Sequence, residues 1–266
     1  MAVTKILSID FDIIMYPCIK MYNPYSLGDA NSTELWKRFE EIYNFNEANL
    51  YYDAKVLMNI ARLIVENVKN GARFIPIESH DSIVKFLKAQ TDTYDDPDMK
   101  YHIFNIDFHH DVSYSRDSLN MISTFDRYNC TDWLAYLELK DKIIQLDWIK
   151  APNSEMPDPS VQYIIDNVIP IRDIPTLPID CDEIYFCLSP QWVHPKYYHL
   201  FHLITHMVEG FNDTISEMVV LAQDLSHTEP PYVATANDNS TTVEPMEHLI
   251  SEEEEDTSTT EEDANT

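Results

Sequence analysis

An α/β fold with a mainly parallel sheet is what this sequence predicts, and three observations carry the prediction. Short β-branched or aromatic apolar runs recur along the chain. A polar cluster follows each run, and longer stretches with apolar residues every three or four positions lie between them. Strands that alternate with helices are joined by crossovers, which make neighbouring strands parallel. Helices on both faces of such a sheet give a three-layer α/β/α arrangement.

The first run, KILSIDFDII at 5–14, reads as a strand that ends in acids. STELWKRFEEIY (32–43) and EANLYYDAKVLMNIARLIVENVKN (47–70) read as amphipathic helices, the second closed by Asn70-Gly71. ARFIPIES (72–79), KYHIFNIDF (100–108), KIIQLDWI (142–149) and DEIYFCLS (182–189) are further strands, with a short one inside VQYIIDNVIPI. HDSIVKFLKA (80–89) and TDWLAYLE (131–138) read as shorter helices, and 195–223 as one or two longer ones after Pro195.

These elements fill residues 1–225, which read as one domain, and 44% hydrophobic residues in the 266-residue chain suffice for its core. From 226 to 266 the sequence is rich in Ser, Thr, Pro and acids and poor in large apolar residues. Such a segment buries too little to offset its ordering entropy, so a disordered acidic tail is expected, with Pro245–Ile250 as an alternative partner-binding stretch.

Composition excludes several function classes. The formal charge is −28, from 46 acids and 18 bases, and the last base is Lys196. A general nucleic-acid surface and tight binding to anionic membranes are thereby disfavoured. With only Gly28, Gly71 and Gly210, neither a dinucleotide-binding GxGxxG turn nor a P-loop can be written. Cys18, Cys130, Cys181 and Cys187 have no CxxC spacing, and the chain opens without a long apolar core, so buried thiols in a cytoplasmic protein are expected. No run approaches the ~18 apolar residues of a membrane span.

The chemistry concentrates in three places. In NIDFHHDVS (105–113), Asp107, His109 and Asp111 alternate at what reads as the carboxyl end of a strand and would share one face. Oxygen and imidazole donors grouped in this way suit Mn²⁺, Fe²⁺ or Zn²⁺, and carboxylates buried there without a cation are costly. Asp10 and Asp12 in SIDFD end a second strand, and His80 in IESHDSI stands at a strand-to-helix corner. Taken singly, the acids also suit helix capping and the histidine a surface position. Together, at carboxyl strand ends where open α/β sheets place their sites, four Asp and two His suffice for two metal ions.

This combination resembles the arginase and deacetylase superfamily, the ureohydrolases. NIDFHHD at 105–111 is similar to their DxHxD motif, SIDFD to their DxD strand, and His80 to the metal-binding histidine of their GGDHS-like turn. TDWLAYLELKDKIIQLDWI and FCLSPQWVHP extend the likeness loosely over 1–205, and the nearest functional match is the peptide arginases. The resemblance implies an arginase-like fold and two Mn²⁺ ions. It places His80, Asp107, Asp111 and Asp10 on one ion and Asp107, His109, Asp10 and Asp12 on the other. A bridging hydroxide would attack the guanidino group of arginine within a peptide precursor, giving ornithine and urea. His110 and His194 are the general-acid candidates.

Three departures stand out: the DxD strand precedes DxHxD, so the motif order is permuted; Ile77 and Glu78 replace the glycines before the metal histidine; and no histidine after Asp111 matches the family's proton shuttle. A small-molecule arginase or agmatinase and a metal-dependent deacetylase share the same motifs. A haloacid-dehalogenase-like phosphatase, with Asp10 as nucleophile and Asp12 as acid/base, is a rival that lacks the usual Gly-Thr continuation. So is a metal-stabilised binding module that engages a basic partner through the tail. His199, His202 and His206 recur at helical spacing, but without HExxH they read as residues of an amphipathic helix rather than zinc ligands.

Overall fold

The computed structural model describes residues 2–15, 31–43, 50–90, 94–113 and 116–210, all within the unit Met1–Glu229. In chain order its regular elements are β1 (Ala2–Asp10), α1 (Ser32–Tyr43), α2 (Ala54–Lys69), β2 (Arg73–Ile77), α3 (Asp81–Ala89) and β3 (Met99–Ile106). There follow α4 (Arg116–Phe125), α5 (Trp133–Leu139), β4 (Ile143–Lys150), β5 (Asn167–Pro170), β6 (Glu183–Cys187) and α6 (Tyr198–Glu209). The six strands form one sheet in the order β2-β6-β1-β3-β4-β5, and every adjacent pair is parallel. The chain leaves β1 for β2 on one side and returns as β3 on the other, which opens a crevice at the carboxyl ends of the central strands.

Side-chain alternation along the strands divides the core into two layers. Leu7, Ile9, Ile106, Ile184 and Phe186 pack with Trp36 and Phe39 of α1, Ile60 and Ile64 of α2, and Phe201 and Ile204 of α6. Ile6, Ile103, Leu146 and Tyr185 face Ile83 and Leu87 of α3, Leu119 and Ile122 of α4, and Trp133 and Leu137 of α5. The fold is therefore the three-layer α/β/α arrangement with a parallel sheet. Each fully buried Leu, Ile or Phe contributes about 1.5–3 kcal/mol, so the central strands anchor whatever is built at their ends.

Several boundaries differ from the sequence reading, each for a local reason. The first strand stops at Asp10 rather than running to Ile14, because Asp10 Oδ1 accepts the Asp12 N–H at 2.9 Å and residues Phe11–Met15 curl into a 3-10 turn. Helix α2 begins at Ala54, not at Glu47, because Asp53 caps it by accepting the Val56 N–H at 3.0 Å. Helix α4 is absent from the sequence reading; Leu119 and Ile122 are too few to mark a period. The long helical stretch expected after Pro195 is a 3-10 turn at Pro195–Tyr197 followed by α6, and its part beyond residue 210 lies outside the described residues.

His199, His202 and His206 lie on the exposed face of α6, opposite buried Leu200, Ile204 and Met207. The acidic tail at 226–266, its Pro245–Ile250 segment and Cys18 lie outside the described residues. Cys181 and Cys187 are buried free thiols, and Cys130 is a half-buried one. Among the described residues no helix is long and apolar enough to cross a membrane.

Candidate metal centre

Six residues meet at the carboxyl ends of the central strands. Asp10 is the last residue of β1, and Asp12 lies in the turn that follows it. His80 immediately precedes α3, where its side chain makes no capping hydrogen bond and turns into the interior instead. Asp107, His109 and Asp111 follow β3, which ends at Ile106, so a loop brings them together rather than the pleat of a strand. That loop is tightly wound: His109 N–H donates to Asp107 Oδ1 at 2.8 Å, and Asp111 and Ser113 have φ values of 54° and 81°. Left-handed backbone at two non-glycine residues costs on the order of 1–3 kcal/mol each and persists only where the surroundings enforce it. Here they do, through bonds from Leu134 N–H to the Asp111 carbonyl and from Ser113 N–H to the Thr131 carbonyl.

The polar atoms converge on two points. His80 Nδ1 lies 2.9 Å from Asp111 Oδ2, 3.4 Å from Asp107 Oδ2 and 3.6 Å from Asp10 Oδ2. His109 Nδ1 lies 2.9 Å from Asp12 Oδ2 and 3.9 Å from Asp107 Oδ1. Asp107 thus turns one oxygen toward each imidazole, as a carboxylate shared between two ions would. The donor atoms of His80, Asp107 and Asp111 lie within 4.8 Å of one another, and so do those of Asp12, Asp107 and His109. Asp12 and Asp107 are 0% exposed; neither oxygen of Asp12 accepts a well-formed hydrogen bond, and the His109 ring stands beside it with Nδ1 2.9 Å from Asp12 Oδ2. Buried carboxylates crowded in this way are costly unless neutralised, and a bound cation would neutralise them. These buried Asp and His groups can hold a metal ion.

Other residues orient the six. Ser8 Oγ is hydrogen-bonded to His80 Nε2 at 3.3 Å, Trp133 Nε1 donates to Asp111 Oδ2 at 2.8 Å, and Ser189 Oγ donates to Asp10 Oδ2 at 2.5 Å. Asn105 Nδ2 reaches Asp107 Oδ2 at 3.4 Å, and the Trp192 ring lies 4.2 Å from that of His109. Hydrogen bonds of this kind to ligating histidines and carboxylates are how proteins orient and tune metal sites. The sequence reading missed these residues. Ser8 and Asn105 carry a signal, as polar residues inside apolar strands, whereas Trp133 and Ser189 carry none that distinguishes them.

The electrostatics record crowded negative charge. Burial, then the neighbouring Asp12, pushes the Asp10 carboxyl up to about 7. Burial and the charges of Asp111, Asp10 and Asp12 hold Asp107 well above the ordinary carboxylate range. Burial alone would lower His80 and His109, but Asp10 and Asp111 around the first and Asp12 beside the second outweigh it and raise both. A group whose pKa is higher folded than unfolded binds more protons in the folded state, so its stabilisation is lost as pH rises through the folded value. The cluster's contribution to the stability of metal-free protein is therefore expected to fall between the ordinary Asp value of 3.8 and about 7, and further as its histidines deprotonate, with His110, which burial pushes down to about 4, working in the opposite direction over part of that range. Thermal unfolding in chelator at about pH 5 and about pH 8 checks this; a higher midpoint at the alkaline end would contradict it.

A cavity of about 20 Å³ reaches the cluster, lined by Asp10, His80, His109 and Asp111 and, at its rim, by Glu78, Cys130 and Trp192 among others. Beside it lies a wider depression of about 550 Å³ that shares Ser79, Cys130, Thr131 and Gln191 with the cavity wall. Among the described residues, none that lines either space is Lys or Arg. His110 and His194 line neither. His110 is buried with its ring edge-on to Trp148, its Nδ1 accepts the Val112 N–H at 3.3 Å, and burial together with His109 pushes it down to about 4, so it is neutral near pH 7. His194 pairs with Glu40 Oε1 at 3.2 Å and accepts the Lys196 N–H.

Comparison with family models, curated proteins and solved structures finds no match. The chemistry is carried by the residues themselves.

Proposed function

We propose that this chain is a metal-dependent hydrolase of the arginase kind, which holds two divalent cations, Mn²⁺ in the first instance, and cleaves the guanidino group of arginine within a peptide. The observation that carries the reading is the buried cluster of four Asp and two His in which Asp107 faces both imidazoles and Asp12 accepts no well-formed hydrogen bond. His80, Asp107, Asp111 and Asp10 would hold one ion, and Asp107, His109, Asp10 and Asp12 the other. Two such ions supply Lewis acidity and an acidified water at neutral pH. The permuted motif order is no obstacle, because β1 and β3 are neighbours in the sheet and present SIDFD and NIDFHHD side by side whichever comes first in the chain.

The rim favours a cation. Glu78 supplies a carboxylate, Trp192 an aromatic surface, and among the described residues no lining base opposes a guanidinium. A phosphatase built on Asp10 and Asp12 fits less well, since among the described lining residues a phosphate would meet acids and no Lys or Arg. The cavity of about 20 Å³ holds roughly one water-sized group beside the cluster, and the depression of about 550 Å³ next to it has room for a guanidinium and its flanking peptide. Hydrolysis consumes one water, breaks the bond between the guanidino carbon and the side-chain nitrogen, and leaves the ornithine amine and urea.

The test is metal-dependent urea release from free arginine, agmatine and an arginine-containing peptide, with the peptide followed by mass spectrometry. Peptide turnover is expected, with a loss of about 42 Da per arginine, the mass of one CN₂H₂ unit removed by the hydrolysis. Glu78→Gln is expected to raise KM roughly threefold to fivefold at nearly constant kcat, in keeping with an exposed ion pair worth below about 1 kcal/mol. Urea from no substrate under any metal would overturn the proposal.

A further inference from the structure

One buried group beside the centre has no place in the six-ligand set. Cys187 ends β6, in register with Asp10 of β1 on one side and Ile77 of β2 on the other. Register partners in a parallel pair project their side chains to the same face, so the Cys187 thiol and the Asp10 carboxylate emerge together. Cys187 is 0% exposed, and its Sγ, an Asp10 oxygen and a His80 ring nitrogen lie within 4.8 Å of one another. Ser189 ties the group together: its Oγ lies 3.3 Å from Cys187 Sγ and donates to Asp10 Oδ2. Cys181, the other buried thiol, donates its S–H to Asn67 Oδ1 and belongs to no such group of donors among the described residues.

We infer that Cys187 is a ligand of the ion on the His80 side, and that this position selects a thiophilic divalent cation of the Zn²⁺, Co²⁺ or Cd²⁺ class. The inference rests on the reading of the cluster as a metal centre and sharpens the choice of ion at one of its two positions. Carboxylate and imidazole donors accept Mn²⁺ readily, whereas a thiolate favours softer ions. Coordination forms a metal–sulfur bond and breaks the S–H bond, and the proton leaves to solvent. Among the described residues the Asp12 side has no thiol donor, and the oxygen-rich character of its group suits Mn²⁺.

The full chain, stripped with chelator and reloaded with Co²⁺, provides the test. A thiolate-to-cobalt charge-transfer band in the near ultraviolet is expected alongside the visible d–d bands. Cys187→Ser should lose the former and keep the latter, with Cys187→Ala as a second variant should serine disturb folding. Cys130→Ser and Cys181→Ser should keep both. In competition, the preference for Zn²⁺ over Mn²⁺ should fall in Cys187→Ser by more than the roughly tenfold to hundredfold of an outer-shell change. Visible bands without a charge-transfer band, or a band lost in Cys130→Ser instead, would overturn the assignment while leaving the metal centre in place. No Co²⁺ bound at all would overturn both.

Discussion

Asp107→Asn is expected to stabilise the metal-free protein while abolishing its capacity to hold metal. Asp107 is 0% exposed and lies among Asp10, Asp12 and Asp111, whose charges hold its carboxyl well above the ordinary range. An amide keeps the shape, removes the charge and donates to the neighbouring carboxylates. The gain should be about 1–2 kcal/mol, typical where a site is tuned for function at the expense of stability, and should grow as pH rises and the native carboxyl would ionise. The same change removes the one side chain that faces both imidazoles, so affinity at both positions should fall by at least about a hundredfold, the upper end of what an outer-shell change costs. Chemical denaturation in chelator and a binding isotherm read the two effects separately. If the variant is less stable and binds metal as the wild type does, the cluster is a structural ion-pair network.

Metal addition should have the opposite effect on the wild type. An ion that binds only the folded state stabilises it by about 4 kcal/mol at a thousandfold excess over Kd, which for a domain of this size raises Tm by roughly 8–16 °C. The shift should grow as pH rises, because protons, which the raised pKa values of Asp10, Asp107 and the two histidines favour, compete with the ion for these groups. Asp12→Asn should reduce it, because Asp12 is fully buried and its carboxylate faces the His109 side of the cluster. An equal shift in Asp107→Asn would place the bound ion elsewhere.

Much of this was legible in the sequence because strand ends are local features. The apolar runs located all six strands, and the acids and imidazoles at their ends were visible as residue types at short spacing. Adjacency was not: only strand pairing brings Asp10 beside Cys187, or SIDFD beside NIDFHHD, across long stretches of chain. Backbone detail was hidden too, since the loop after Ile106 groups Asp107, His109 and Asp111 through left-handed residues that no periodicity announces. Taken singly, His80 suits a surface position on sequence grounds; its inward turn depends on Ser8 and Asp111, which the chain supplies 72 and 31 residues away. His110 and His194 were chosen for nearness in sequence, which carries little information about which groups line a cavity.

The most direct test of the metal centre is the metal content of chelator-stripped protein reloaded at about pH 8 and freed of excess ion, measured by elemental analysis beside Asp107→Asn. The account predicts two ions per wild-type chain and none retained by the variant; no retained metal in the wild type, or equal metal in both, would contradict it.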